Sequence, residues 1–155
     1  MRRSKPETRV VLPDIRYNSI LVQTLAQHVL KRGKKSTAMG LIYGAMDLIK
    51  ERTQKNAIEV FDAALRNVSP AMEVRPRRVG GATYQVPMEV SSSRRTTLAI
   101  RWILAAAHER AGQSFSEKLA SELIDASNET GAAIRKRDET HKMAEANRAF
   151  SHYRI

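Results

Sequence analysis

Between Met72 and Val90 the apolar residues stop recurring every three or four positions and begin to alternate. Ala82, Tyr84, Val86, Met88 and Val90 interleave with Thr83, Gln85, Pro87 and Glu89, which is the period of a strand. Before them runs Met72-Glu73-Val74-Arg75-Pro76-Arg77-Arg78-Val79, and Gly80-Gly81 separates the two runs. Two glycines there supply the positive φ that a two-residue hairpin turn requires. Pro76 and Pro87 lack an amide donor, so each strand is expected to be an edge. A two-stranded ribbon is marginal alone in water, so this one should lean on other elements at its base and project at its tip.

Everywhere else the apolar period is helical. Leu21, Leu25 and Val29 predict a first helix over about 19–31, capped by Asn18 or Ser19 and closed by Lys31-Arg32-Gly33. Ala38, Leu41, Ile42, Ala45, Met46, Leu48 and Ile49 predict a second from Ser36. A third starts at Asn56, with Glu59 completing a capping-box pattern, and stops at Ser69-Pro70. A fourth covers about 93–110, with Leu98, Trp102, Ala105 and Ala106 inward and Ile100, Ile103, Leu104 and Ala107 widening the stripe, as in a central helix. Ser114 and Glu117 predict a capping box for a fifth, carrying Phe115, Leu119, Leu123 and Ala126 inside. A sixth begins after Gly131. The fold expected is mainly α: six helices, an extended hairpin between the third and fourth, and a basic N-terminal arm over 1–17 where Pro6 and Pro13 oppose helix.

Charge sets the class of function. The chain carries 27 Lys and Arg against 16 Asp and Glu, a net +11. That excess opposes compaction by self-repulsion and points to a polyanionic partner. It is also segregated: residues 1–35 hold +7, 71–95 and 131–155 hold +3 each, and the segments between are neutral or slightly acidic. Absence of cysteine removes disulfides, Cys-ligated zinc and Cys nucleophiles. No apolar run is long enough to span a bilayer, and dispersed cations do not make the single basic amphipathic helix of a membrane surface binder. No apolar stretch follows the N-terminal charges as in a secretory signal, so cytoplasm is the expected compartment. At 155 residues, one RNA-binding domain over 1–155 is expected, with residues 72–90 as its projecting hairpin.

Each candidate site has a plainer alternative. Gly33-Lys34-Lys35-Ser36 looks like the end of a phosphate-binding loop, but His28 stands where that loop needs glycine and Lys35 where it needs Ser or Thr. A basic inter-helix turn that meets a phosphate fits better. The hairpin cations could merely block edge pairing. Yet all are arginine, which binds phosphate bidentately and stacks on bases, and a glycine tip lets backbone approach nucleic acid closely. Tyr84 could stack on a base or pack at the hairpin's foot. Arg135, Lys136 and Arg137 splay about 100° apart on a helix and cannot share one face, whereas Arg135 and Lys142 can. His28, His108, His141 and His152 show no ligand spacing, so no metal, cofactor or catalytic residue is expected. No zinc finger, basic zipper or helix-turn-helix spacing indicates DNA. The residues expected to contact RNA are Arg2, Arg3, Lys5 and Arg9 in the arm; Lys31, Arg32, Lys34 and Lys35 in the first turn; Arg75, Arg77, Arg78, Gly80, Gly81 and Tyr84 in the hairpin; Arg94, Arg95, Arg101 and Arg110 in the fourth helix; and Arg135, Arg137, Lys142 and Arg148 near the C-terminus.

Three stretches together resemble a known family. Arg77-Arg78-Val79-Gly80-Gly81-Ala82-Thr83-Tyr84-Gln85-Val86-Pro87, Gly33-Lys34-Lys35-Ser36, and the run from Arg135-Lys136-Arg137 through His141-Lys142-Met143-Ala144-Glu145-Ala146-Asn147 to His152-Tyr153-Arg154 are similar, in order and spacing, to small-subunit ribosomal protein seven of the bacterial type. The resemblance runs from about Leu12-Pro13-Asp14 to the end. It implies a non-enzymatic protein of the small subunit in the cytoplasm that binds the 3′ major domain of 16S-type ribosomal RNA and nucleates assembly of the head. It also implies a position near the exit-site tRNA and the messenger path, with ribosomal proteins nine and eleven as neighbours. Some members repress their own messenger. The chain departs from the pattern at Ser91-Ser92-Ser93, where many members carry an arginine and proline, and at Gln113 and Phe115, where lysine and methionine are common. The first removes one expected phosphate contact, leaving Arg94 and Arg95 to supply it; the second weakens RNA contact at that loop.

Overall fold

The computed structural model describes Glu7 and residues 9–153. Arg2, Arg3 and Lys5 of the expected arm lie outside the described residues. Six α-helices and one two-stranded sheet follow in the expected order: α1 Ile20–Val29, α2 Lys35–Thr53, α3 Ala57–Val68, β1 Met72–Val79, β2 Ala82–Glu89, α4 Ser92–Glu109, α5 Phe115–Ser127 and α6 Ala132–Ala146. A short 3₁₀ helix, Arg148–Tyr153, closes the described chain. The fold is mainly α, with the hairpin between the third and fourth helices.

Local chemistry sets the helix ends. Ser19 accepts from the Val22 amide and starts α1. Asn56 accepts from the Ile58 amide and starts α3, so the capping box expected with Glu59 is a simple asparagine cap instead. Ser114 accepts from Glu117 N at 3.2 Å, one half of the expected box; the return bond from Ser114 N to the Glu117 carboxylate is absent among the described residues. Each cap satisfies one of the amides a helix start leaves without a partner. α1 ends two residues earlier than its period predicts, because Leu30 leaves helical geometry (φ −54°, ψ 124°); Arg32 (φ 53°) and Gly33 (φ 75°) then take left-handed conformations in the turn.

The core joins α1 to α6 in one hydrophobic cluster, with Phe61, Ile42, Met46, Ile100, Ile103, Leu119 and Leu123 essentially inaccessible. Buried residues of α2, α3 and α5 follow the predicted stripes. In α4 the stripe is rotated: Ala99, Ile100, Ile103, Leu104, Ala106 and Ala107 are buried, Leu98 and Trp102 are half-buried, and Ala105 is exposed. The reason is the partners of α4. Its inner face meets α5 and α3, while Leu98 and Trp102 border a groove beneath the hairpin and α6. The centre is therefore shared: α5 packs on α2, α3, α4 and α6. Among the described residues, no helix is long and apolar enough to cross a membrane.

Hairpin register explains its prolines. Val79 faces Ala82 across Gly80 (φ 57°) and Gly81 (φ 89°), a two-residue turn with both φ positive. Hydrogen-bonded pairs alternate from that first pair. Pro76, three residues from the turn pair, and Pro87, five from it, both fall on non-bonded positions, where a missing amide donor costs nothing. Arg78 through Thr83 are exposed, whereas Glu73, Val86 and Pro87 near the base are buried. The base rests on α6 and the 3₁₀ helix.

Candidate nucleic-acid interface

Four groups of cations project from this frame. Lys31, Arg32, Lys34 and Lys35 crowd the α1–α2 turn, which bonds Lys34 N to Lys31 O at 3.1 Å and Lys35 N to Gly33 O at 2.8 Å. All four side chains are exposed, and among the described residues none forms an ion pair. The left-handed backbone at Arg32 and Gly33 thus holds four uncompensated charges in one tight turn.

The second group stands where the hairpin base meets the start of α4. Glu73 is 7 % exposed and accepts from Arg75 Nε at 2.5 Å and from Arg94 Nε at 2.8 Å. Arg95 donates its Nε to Val90 O at 2.9 Å. Each bond uses the inner nitrogen of the guanidinium. Among the described residues, no hydrogen bond engages the terminal nitrogens of these three arginines, which therefore remain for an external anion. Ser91 caps α4 without a side-chain bond, so the amides of its first turn are open as well. Arg101 is exposed farther along α4.

Arg78 is exposed and Arg77 half-buried towards the hairpin tip. On α6, Arg135 and Lys142 are exposed without an ion pair among the described residues, while Lys136 pairs with Glu139 at 3.2 Å; Arg148, at the start of the 3₁₀ helix, pairs with Glu145 at 3.3 Å. Arg9 is exposed in the arm.

Three expected contacts are turned to other work. Arg110, at the end of α4, donates its Nε to Glu122 Oε2 at 2.6 Å and a terminal nitrogen to Asp125. Glu122 is fully buried, and its other oxygen accepts from Ala133 N at 2.9 Å, in the first turn of α6. The cation neutralises a carboxylate that ties α4, α5 and α6 together. Gly131 (φ 99°) makes room, since a Cβ there would sit 3.1 Å from Glu122 Oε1. Arg137 donates Nη1 to Asn67 O at 2.6 Å, satisfying a carbonyl in the last turn of α3. Tyr84 packs its ring 4.9 Å from Tyr153 and 5.4 Å from Phe150, fastening the hairpin to the 3₁₀ helix rather than standing free for a base. The sequence held one signal of this: Glu122 lies within the apolar stripe Leu119, Leu123, Ala126, where a carboxylate needs a buried partner.

The arm is shorter than expected. Asp14 is 3 % exposed and accepts from the amides of Arg16 (3.1 Å), Tyr17 (2.9 Å) and Ser19 (2.9 Å) and from the Tyr43 hydroxyl (3.2 Å). Burial raises this carboxyl's pKa, but the four bonds outweigh it and hold it below the ordinary value of 3.8. Arg16 pairs with Asp47 at 2.6 Å and lies over the rings of Tyr17 and Tyr43. Residues 14–17 therefore belong to the folded body. Among the described residues, no group of three or more His, Asp or Glu side chains could hold a metal.

A family model described as ribosomal protein S7p/S5e matches residues 1–148. The small ribosomal subunit protein uS7 of Thermotoga petrophila is 57 % identical over 154 residues, covering 99 % of each chain. Those of Thermomicrobium roseum and Chloroflexus aurantiacus are 55 % and 56 % identical, covering 99 % and 98 % of this chain and 98 % and 97 % of theirs.

Proposed function

This chain belongs to the ribosomal protein S7p/S5e family, and on that premise we propose how it serves translation as a structural part of the small ribosomal subunit in the cytoplasm. It binds small-subunit ribosomal RNA in the 3′ major domain, nucleates assembly of the head, and lies near the exit-site tRNA and messenger path with ribosomal proteins nine and eleven beside it. Residues 1–155 act as one RNA-binding unit. The work is physical and not enzymatic: cations displace counterions condensed on phosphate, and the helical core decides where those cations stand. A body that contacts several RNA segments at once favours the junction in which all are engaged, a population shift by differential affinity.

The observation that carries this reading is the α1–α2 turn, with Lys31, Arg32, Lys34 and Lys35 exposed and unpaired among the described residues. The arginines held through Nε at Glu73 and Val90 add a second, preoriented contact. Binding to a 3′ major domain fragment and to a scrambled RNA of equal length, measured across a salt series, tests it. Wild type should prefer the native fragment. Lys34→Ala/Lys35→Ala should weaken that binding and reduce the slope of log K against log salt by about 1.4–1.8, at about 0.7–0.9 per phosphate contact. Equal affinity for both RNAs would leave only a non-specific polyanion footprint.

A further inference from the structure

A cavity of about 320 Å³ opens between the end of α1, the end of α4 and the start of α5. Leu41 and Leu104 contribute apolar lining. His108 and Phe115 pack their rings on each other, with centroids 4.9 Å apart and planes tilted by 32°, and together form one aromatic wall of the cavity. Lys31 and Lys118 contribute cations, and no carboxylate lines the cavity. Phe115 and Lys118 sit in the first turn of α5, a 13-residue helix whose positive dipole end adds to that charge.

The chemistry narrows the occupant. Volume near the lower end of the ligand-pocket range suits a single small planar group. An aromatic wall suits a π-face, and paired cations suit flanking anions. Hydrogen-bonding edges are present too. His28 bonds through Nδ1 to Thr24 O at 2.9 Å, and its Nε2 has no bond among the described residues. The Gln113 amide offers both a donor and an acceptor. A planar body with donor and acceptor edges and an anion on either side is a nucleotide.

We infer that this cavity holds one unstacked base of the bound RNA, with adjoining phosphates on Lys31 and Lys118. The inference rests on the RNA-binding reading above and deepens it: the turn that positions Lys31 also frames a pocket for a single-stranded nucleotide. Unpaired bases splayed from a fold and stacked on aromatic or histidine rings are a common mode of RNA recognition. Gln113 and Phe115, expected from the sequence to weaken RNA contact at this loop, are what give the pocket its polar edge and its aromatic wall.

The test compares the full chain's affinity for a blunt RNA duplex with its affinity for the same duplex bearing a four-uridine overhang. In wild type the overhang should raise affinity about 5- to 150-fold, the worth of stacking one base at about 1–3 kcal/mol. His108→Ala and Phe115→Leu should each remove most of that gain and leave blunt-duplex affinity unchanged. His108 is exposed, so its removal leaves the core intact, and leucine keeps apolar volume at 115. If wild type binds the blunt duplex and the overhang adds nothing, or the gain survives both variants, the base pocket is wrong and RNA binding stands. If wild type binds the 3′ major domain fragment but neither of these RNAs, the base pocket is wrong and RNA binding stands; if it binds none of the three, RNA binding itself falls and takes the pocket with it.

Discussion

Arg110→Met separates a structural cation from an RNA-binding one. The variant keeps much of the apolar stem but leaves Glu122, fully buried, with only the Ala133 amide as a bonded partner. Removing one member of a buried pair costs about 3–5 kcal/mol, whereas an exposed pair is worth about 0–1 kcal/mol. The Arg110 side chain is 28 % exposed, so water screens part of the interaction. A loss of about 2–4 kcal/mol is expected, a large share of a typical domain's about 5–15 kcal/mol. For a chain of this size that lowers the melting midpoint by roughly 5–15 °C. Urea unfolding followed by Trp102 fluorescence and far-ultraviolet circular dichroism measures it. A cycle with Glu122→Gln isolates the pair: the arginine substitution should cost at least about 1 kcal/mol less when the carboxylate is already gone. Where both proteins are folded, RNA affinity should keep its salt slope. Coupling below about 0.5 kcal/mol, within ordinary additivity, would refute the buried-pair argument. A slope reduced by about 0.7–0.9 would restore Arg110 as a phosphate contact.

Two further outcomes follow from the same geometry. The Asp14 carboxyl has a lowered folded pKa, so its stabilisation is complete above the unfolded value and is lost as pH falls through the folded one. Acid unfolding below about pH 4 should therefore be less steep in Asp14→Asn, which should already be less stable at neutral pH; identical acid limbs would show that the four bonds to Asp14 carry no differential energy. Tyr84→Ala removes the aromatic contacts to Phe150 and Tyr153. Amide exchange at Phe150, bonded to Asn147 O at 3.0 Å, should rise about 2- to 10-fold for contacts worth about 0.5–1.5 kcal/mol. Unchanged exchange with a loss of RNA affinity would instead return Tyr84 to base stacking.

The sequence by itself determined the order and type of the elements. Apolar period is a property of the local backbone, 3.6 or 2 residues, and needs no knowledge of what lies opposite. Gly80-Gly81 specifies the turn and Pro76 and Pro87 the edges for equally local reasons, positive φ and a missing donor. Segment charges likewise marked residues 1–35, 71–95 and 131–155 as the basic stretches. Tertiary structure alone decided which cations are available. Lys34 and Arg110 are both basic residues at the edge of a helix; one meets solvent and the other a buried carboxylate twelve residues away. Arg137 is drawn in by a carbonyl seventy residues distant, while Arg135 on the same helix stays out. Arg75 and Arg94, two and twenty-one residues from their shared partner Glu73, are both aimed by it. The pocket lined by His108 and Phe115 exists because α4 ends and α5 begins beside the end of α1. Charge is written in composition, but a charge acts through what lies across from it, and that is settled only when helices distant in sequence pack together.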